Sequence, residues 1–139
     1  MVPDVNIWAV VLATLSTLVV GSLWYTPRVF GAAWIRLAKV DMAAAEKRGV
    51  APILVTVVVT FVTAWVLAGA VSIAHDFYDG TFLVDALVTG LLLWAGFTAA
   101  RMVTHDAFEG RPPRLTAINL AHELVTVVVM SLIIGLMGV

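Results

Sequence analysis

Four long apolar runs separated by short polar connectors fill most of this chain. A chain with that pattern has to fold against lipid. Hydrophobic residues make up 62% of it and charged residues 12%, about half the charge of an average soluble domain. With short loops there is room for one bundle and no separate soluble domain. The expected architecture is all-α: a transmembrane four-helix bundle with spans at about 5–25, 50–74, 81–104 and 115–138, and a short cytoplasmic interfacial helix between spans 1 and 2. The chain contains no cysteine, which excludes disulfides, thiol catalysis and Cys-ligated metals. Met1–Asn6 has no positive charge and leads into an apolar run too long for a signal peptide, so a retained first span is expected.

Span 1 is expected to start at Asp4 and Asn6, with Trp8 and Trp24–Tyr25 as interfacial aromatics at its two ends. Ala9, Ala13, Thr17 and Gly21 recur at i+4, and so do Thr56, Thr60, Ala64, Ala68 and Ser72 in span 2. Lipid provides no hydrophobic force between helices, so small-residue ridges favour association by close backbone approach and dispersion. The two ridges are expected to pack on each other; the sharper alternative is a hydroxyl stripe along a pathway. In the first loop, Phe30, Trp34, Leu37 and Ala38 share a helical face flanked by Arg28, Arg36 and Lys39, which suits a helix in the headgroup region. Asp41 is placed to cap a second short helix, Met42 to Arg48, ended by Gly49.

The Lys and Arg residues number 8. They sit in the loop 26–49 (Arg28, Arg36, Lys39, Lys47, Arg48) or bracket the loop 105–114 (Arg101, Arg111, Arg114). Asp4, Asp76, Asp79 and Asp85 fall at the other ends of the spans. The positive-inside rule therefore predicts a cytoplasmic-membrane protein with both loops cytoplasmic and both termini outside.

The charges inside the spans point to a candidate site. Glu123 lies about 12 Å along the helix from Leu115, close to the bilayer midplane. A carboxylate there costs about 2.5–3.5 kcal/mol unless it is neutralised or paired. Two arrangements are expected: Arg101 reaches Glu123 from the neighbouring span, or Glu123 is protonated and bonded to Asn119 and to hydroxyls of spans 1 or 2; Thr116 and Thr126 flank the same stripe. His122 is expected to point about 100° away from Glu123, towards a second subunit. Trp94 near mid-membrane needs an acceptor for its indole N–H, so it should face the bundle. Asp85 should dip into the apolar core, and His75 with its neighbouring aspartates is expected to be a polar interfacial turn rather than a metal site.

Gly21-Ser-Leu-Trp24-Tyr25-Thr-Pro27-Arg-Val-Phe30-Gly31-Ala-Ala-Trp34, with Asn6 at the head of span 1 and Asn119 early in span 4, resembles a family of small, mostly bacterial four-span membrane proteins catalogued as a domain of unknown function. The resemblance covers essentially the whole chain. It implies four spans with a cytoplasmic first loop, and a constraint at the cytoplasmic end of span 1, where the aromatic pair, Pro27 and a Gly31-linked helix would fold back under the bundle. It implies no activity.

Three functions compete. The first is a non-enzymatic bundle acting by homo-oligomerisation or as an accessory subunit of a membrane complex. The second is an oligomeric channel or transporter for a small ion or solute, using Glu123, Arg101, Asn119, Thr116, Thr56, Thr60, His122 and Trp94. The third is a lipid-modifying enzyme with His105, Asp106 and Glu109. The first is preferred, because no nucleophile–base set, paired carboxylates or phosphate loop is present. Lipid is the surrounding partner; no cofactor, metal ion or nucleic acid is expected.

Overall fold

A computed structural model describes residues 3–138; the expectations touching Met1, Val2 and Val139 lie outside the described residues. Four helices are long and apolar enough to cross a membrane: Ile7–Trp24, Ala51–Tyr78, Phe82–Phe108 and Pro113–Met137. In chain order the elements are α1 (Ile7–Trp24), α2 (Gly31–Ala38), α3 (Met42–Lys47), α4 (Ala51–Tyr78), α5 (Phe82–Leu93), a π-helical segment (Trp94–Ala99), α6 (Ala100–Phe108) and α7 (Pro113–Met137). The fold is an all-α transmembrane four-helix bundle, with α2 and α3 between the first two spans.

Local chemistry sets most boundaries. The Asn6 side chain caps α1 by accepting from the N–H groups of Trp8 and Ala9 at 3.1 and 3.3 Å, because the first turn of a helix has no internal acceptors. Asp41 caps α3 in the same way, accepting from Ala43 and Ala44. Pro52 and Pro113 occupy first turns, where a missing N–H costs nothing. Three boundaries differ from expectation. α4 continues through His75 to Tyr78 and stops at Asp79, which adopts a left-handed conformation with φ 52°. The third span runs on to Phe108. α7 starts at Pro113 rather than at Leu115.

α1 packs on α4 and α7, and α5 packs on the same two helices, so α4 and α7 face each other across the bundle. The main core cluster lies in the half of the bundle that holds the acidic ends, while Leu115 and Ile118 are buried at the other end of α7. The cluster comprises Ala9, Val10 and Ala13 from α1, Ala64, Leu67, Ala68 and Val71 from α4, Ala86 from α5, and Met130 and Ile134 from α7. The two small-residue ridges behave accordingly. Ala9, Ala13 and Thr17 are buried, as are Ala64, Ala68 and Ser72, whereas Gly21, Thr56 and Thr60 are not. Contact between α5 and α7 depends on two glycines. A Cβ on Gly135 would lie 2.9 Å from the Leu83 Cα, and one on Gly90 would collide with the Ser131 hydroxyl.

At the acidic end, Asp85 is buried and is held by the His75 imidazole, Nδ1 to Oδ2 at 2.8 Å. The carboxylate that the sequence leaves dipping into lipid instead ties α4 to α5. His75 also sets the edge of its ring against Phe82, with centroids 5.0 Å apart.

Towards the basic loops the packing changes. No residue of α4 from Ala51 to Thr63 is buried, and burial begins at Ala64. α4 is thus held by its second half, while its first half stands away from the bundle. Gly135→Val should lower stability by about 1–3 kcal/mol through overpacking, read as a reduced Tm of the detergent-solubilised protein. Val58→Ala on the free half should leave Tm nearly unchanged.

Candidate functional site

The chain reverses sharply after α1. Pro27 follows the end of the helix, the Gly31 N–H donates to the Thr26 carbonyl at 2.9 Å and the Phe30 N–H to the Trp24 carbonyl at 3.1 Å. A Cβ on Gly31 would collide with the Tyr25 carbonyl oxygen, so this close return of backbone on backbone admits only glycine. The reversal stacks Phe30 on Trp24 with centroids 4.6 Å apart, and sets Trp34 against Tyr25 at 5.2 Å in an edge-on pair.

This aromatic group closes on α7 through Asn119. Its Oδ1 accepts from the Trp34 indole at 3.1 Å and from the Tyr25 hydroxyl at 3.4 Å. The widely separated members of the Trp24–Tyr25–Pro27–Phe30–Gly31–Trp34 and Asn119 pattern therefore form one structure, which fastens α2 beneath the bundle. Asn119 works here as an acceptor for two donors, rather than as a stripe-mate of Glu123. Asn6 acts at the other end, where its amide also lies 3.5 Å from the Met137 carbonyl.

One turn further along α7, His122 lies between the rings of Trp24 and Tyr25, at centroid distances of 6.0 and 5.0 Å. Gly21 makes room for it: a Cβ there would lie 3.7 Å from Nε2. The expectation that His122 faces a second subunit is overturned, since its side chain is only 15% exposed. α7 turns that face towards α1, and Gly21 receives the ring. The His122 Nδ1 is 3.5 Å from the Glu123 carboxylate.

Glu123 faces a cleft of about 620 Å³ bounded by α1, α4 and α7. Gly21, Ser22 and Tyr25 form one wall and Thr56 and Thr60 the other, with His122 and Thr126 beside the carboxylate. The Glu123 side chain is 39% exposed, so it opens into this space rather than being sealed among helices. The Thr56 and Thr60 hydroxyls donate to backbone carbonyls one turn back, Pro52 at 2.8 Å and Thr56 at 2.7 Å. They present satisfied hydroxyls, not unpaired ones. Thr126 is buried, and its Oγ1, like the His122 Nε2, has no hydrogen-bond partner among the described residues.

The expected Arg101–Glu123 pair does not form. Arg101 is exposed, and among the described residues the basic group within 4.0 Å of Glu123 is His122. The reason lies between Arg101 and the core: Trp94–Ala99 is π-helical. A π turn adds about one residue to a helical turn, which rotates everything after it by about 100°. A straight helix would carry Arg101 on the face of Gly90 and Trp94, and the widened turn moves it off. Trp94 is half-buried, but its indole N–H finds no acceptor among the described residues, contrary to expectation.

Thr116 is likewise drawn elsewhere: its hydroxyl donates to the buried Asp106 carboxylate at 2.6 Å. Arg111 lies 3.6 Å from Asp106 and 2.6 Å from Glu109. Asp106 thus fastens α6 to α7, while His105 and Glu109 are exposed. No group of three or more His, Asp or Glu residues with metal-binding geometry occurs among the described residues.

The pattern that converges on Asn119 lies within residues 8–135, which match the family described as Protein of unknown function (DUF1761). The chain belongs to this family. No curated protein and no solved structure matches it. The family match reaches all four apolar helices, and of the aromatic group in this DUF1761 member Tyr25 reaches the wall of the cleft, beside Gly21 and Ser22. Sequence reasoning set Thr126 on the stripe of Glu123 but missed Gly21, Ser22 and Tyr25 as cleft residues. Gly21 was visible only as a ridge position, and nothing along the chain signals that α4 stands away from Glu123.

Replacing Asn119 with Ala should cost about 1–3 kcal/mol by leaving two donors without their shared acceptor, measured by chemical or thermal unfolding in detergent. Arg101→Ala should stay within about 0.5 kcal/mol of the parent protein. A large loss in the second variant would restore the interhelical ion pair.

Proposed function

We propose that this membrane protein is a non-enzymatic carrier bundle that takes a small cation or cationic solute into the cleft at Glu123. The observation that carries the reading is the placement of Glu123. It is a carboxylate within an apolar span, partly exposed to a cleft of about 620 Å³, with no Lys or Arg within 4.0 Å among the described residues. An intramembrane acid is costly to keep, and a pocket of this size falls in the range of small-molecule sites. Tyr25 adds an aromatic face and the carboxylate supplies charge, a pairing suited to a cation. Arg101 and Asn119 drop out of the site, because one is exposed and the other is committed to Trp34 and Tyr25.

The reading places the protein in the cytoplasmic membrane with the basic loops inside, so that the cleft faces the cytoplasmic half of the bilayer. Four spans give few walls for a closed pathway, so a homo-oligomer would complete it. Association as a homo-oligomer or with another membrane protein is also a function in its own right, and the unpacked half of α4 favours it: Ala51 to Thr63 has no buried residue within the chain.

In proteoliposomes, accumulation of radiolabelled methylammonium driven by an inside-negative potential should exceed that of empty vesicles. Glu123→Gln should reduce it to the empty-vesicle level at unchanged Tm. Equal uptake by the parent and the Gln variant would remove the carrier reading. Crosslinking through a Val58→Cys substitution, in a chain with no other thiol, tests the association separately.

A further inference from the structure

The cleft at Glu123 is not an isolated pocket. A second opening of about 310 Å³ adjoins it beneath α4 and shares Thr56, Thr60, Glu123 and Thr126 with it. A third, of about 460 Å³, adjoins the second at Thr63 and Val127 and extends to Val66, Trp94, Phe97 and Thr98. The three follow one another along α4, from its Thr56 turn to its Val66 turn, about 15 Å of helix. The lining changes character along that line. One end offers a carboxylate, an imidazole and hydroxyls, and the other is mainly Val, Leu, Phe and the ring of Trp94, with Thr63 and Thr98 at its edge.

The third opening exists because of two departures from regular packing. No residue of α4 before Ala64 is fully buried, and the third span is widened by its π-helical segment from Trp94 to Ala99. A widened turn pushes side chains outward, and such turns recur at functional sites. The π segment thus forms the apolar end of the crevice whose charged end is Glu123.

We propose that the occupant is a single-tailed amphiphilic amine, its ammonium held at Glu123 and its alkyl tail laid under α4 towards Trp94 and Phe97. The proposal rests on the cation reading of the cleft and adds the tail. Charge complementarity selects the head. The carboxylate accepts N–H donors, and the face of Tyr25 tolerates a cation. Length and apolar lining select the tail. A tail lying in the crevice gains no hydrophobic energy over one lying in lipid, so placement of the tail depends on the anchored head and on fit. Tail position is therefore the property to measure.

The probe is dodecylamine carrying a diazirine at the far end of its chain, photolysed with the protein in nanodiscs. Adducts are mapped by mass spectrometry. They should concentrate on the stretch 62–67 of α4 and the stretch 93–98 of the third span, and excess unlabelled dodecylamine should suppress them. In Glu123→Gln, loss of the charge-assisted hydrogen bond should cut this labelling at least about tenfold. The matching diazirine dodecanol, which lacks the charge, should label the lipid-facing sides of all four spans alike. Thr63→Phe, which narrows the junction at an exposed position, should move the adducts out of the crevice.

Three results overturn the tail. One is labelling at 62–67 and 93–98 that is the same for the amine and the alcohol, which means ordinary lipid filling. The second is Glu123-dependent labelling that maps elsewhere. The third is adducts in Thr63→Phe that stay at 62–67 and 93–98. In each case Glu123-dependent methylammonium uptake would leave the cation reading standing. Loss of both Glu123-dependent labelling and Glu123-dependent uptake overturns the two together.

Discussion

Helices in lipid gain nothing by hiding apolar surface from water, because the bilayer is as apolar as their side chains. What holds this bundle together is close backbone approach where side chains are small, and polar bonds where they are not. The close approach is concentrated in one half of the molecule. Ala9, Ala13, Ala64, Ala68 and Ala86 allow contact around the bundle. Gly90 and Gly135 bring α5 against α7, and the His75–Asp85 pair closes the acidic end.

The opposite half is held by a different means. There the aromatic group of Trp24, Tyr25, Phe30 and Trp34 binds α1 and α2 to α7 through Asn119, and Asp106 binds α6 to α7 through Thr116. Among the described residues nothing equivalent binds the first half of α4, so the space behind it opens onto Glu123. The cleft arises where neither small-residue packing nor polar fastening reaches a helix.

Much of this architecture is legible along the chain. The spans, the caps at Asn6 and Asp41 and the proline boundaries follow from local rules that need no knowledge of neighbours, whereas the fold-back at Gly31 came with the family resemblance. The site was legible only in part. Glu123 stands out because one carboxylate in an apolar run is conspicuous. Its surroundings do not, because they depend on relations between helices. A π-helical turn has no strong sequence signature and rotated Arg101 away. His122 faces inward because Gly21, a hundred residues earlier, leaves space for it. The small-residue ridge of α4 reads as continuous from Thr56 to Ser72, yet it is used for packing only from Ala64 onward.

That division of α4 has a mechanical consequence. The helix is a beam clamped at one end by the buried stretch from Ala64 to Ser72 and free over the 13 residues Ala51–Thr63, about 20 Å of cantilever. Thr56, Thr60 and Thr63 bond to carbonyls one turn back along the free length, and such bonds bend helices and soften them. A rotation of about 10° at the clamp would displace the tip by roughly 3 Å over that lever arm, about the width of one methyl group. The core would not have to be repacked for the cleft to widen or close, because the pivot lies at the edge of the packed half and the moving arm lies wholly outside it.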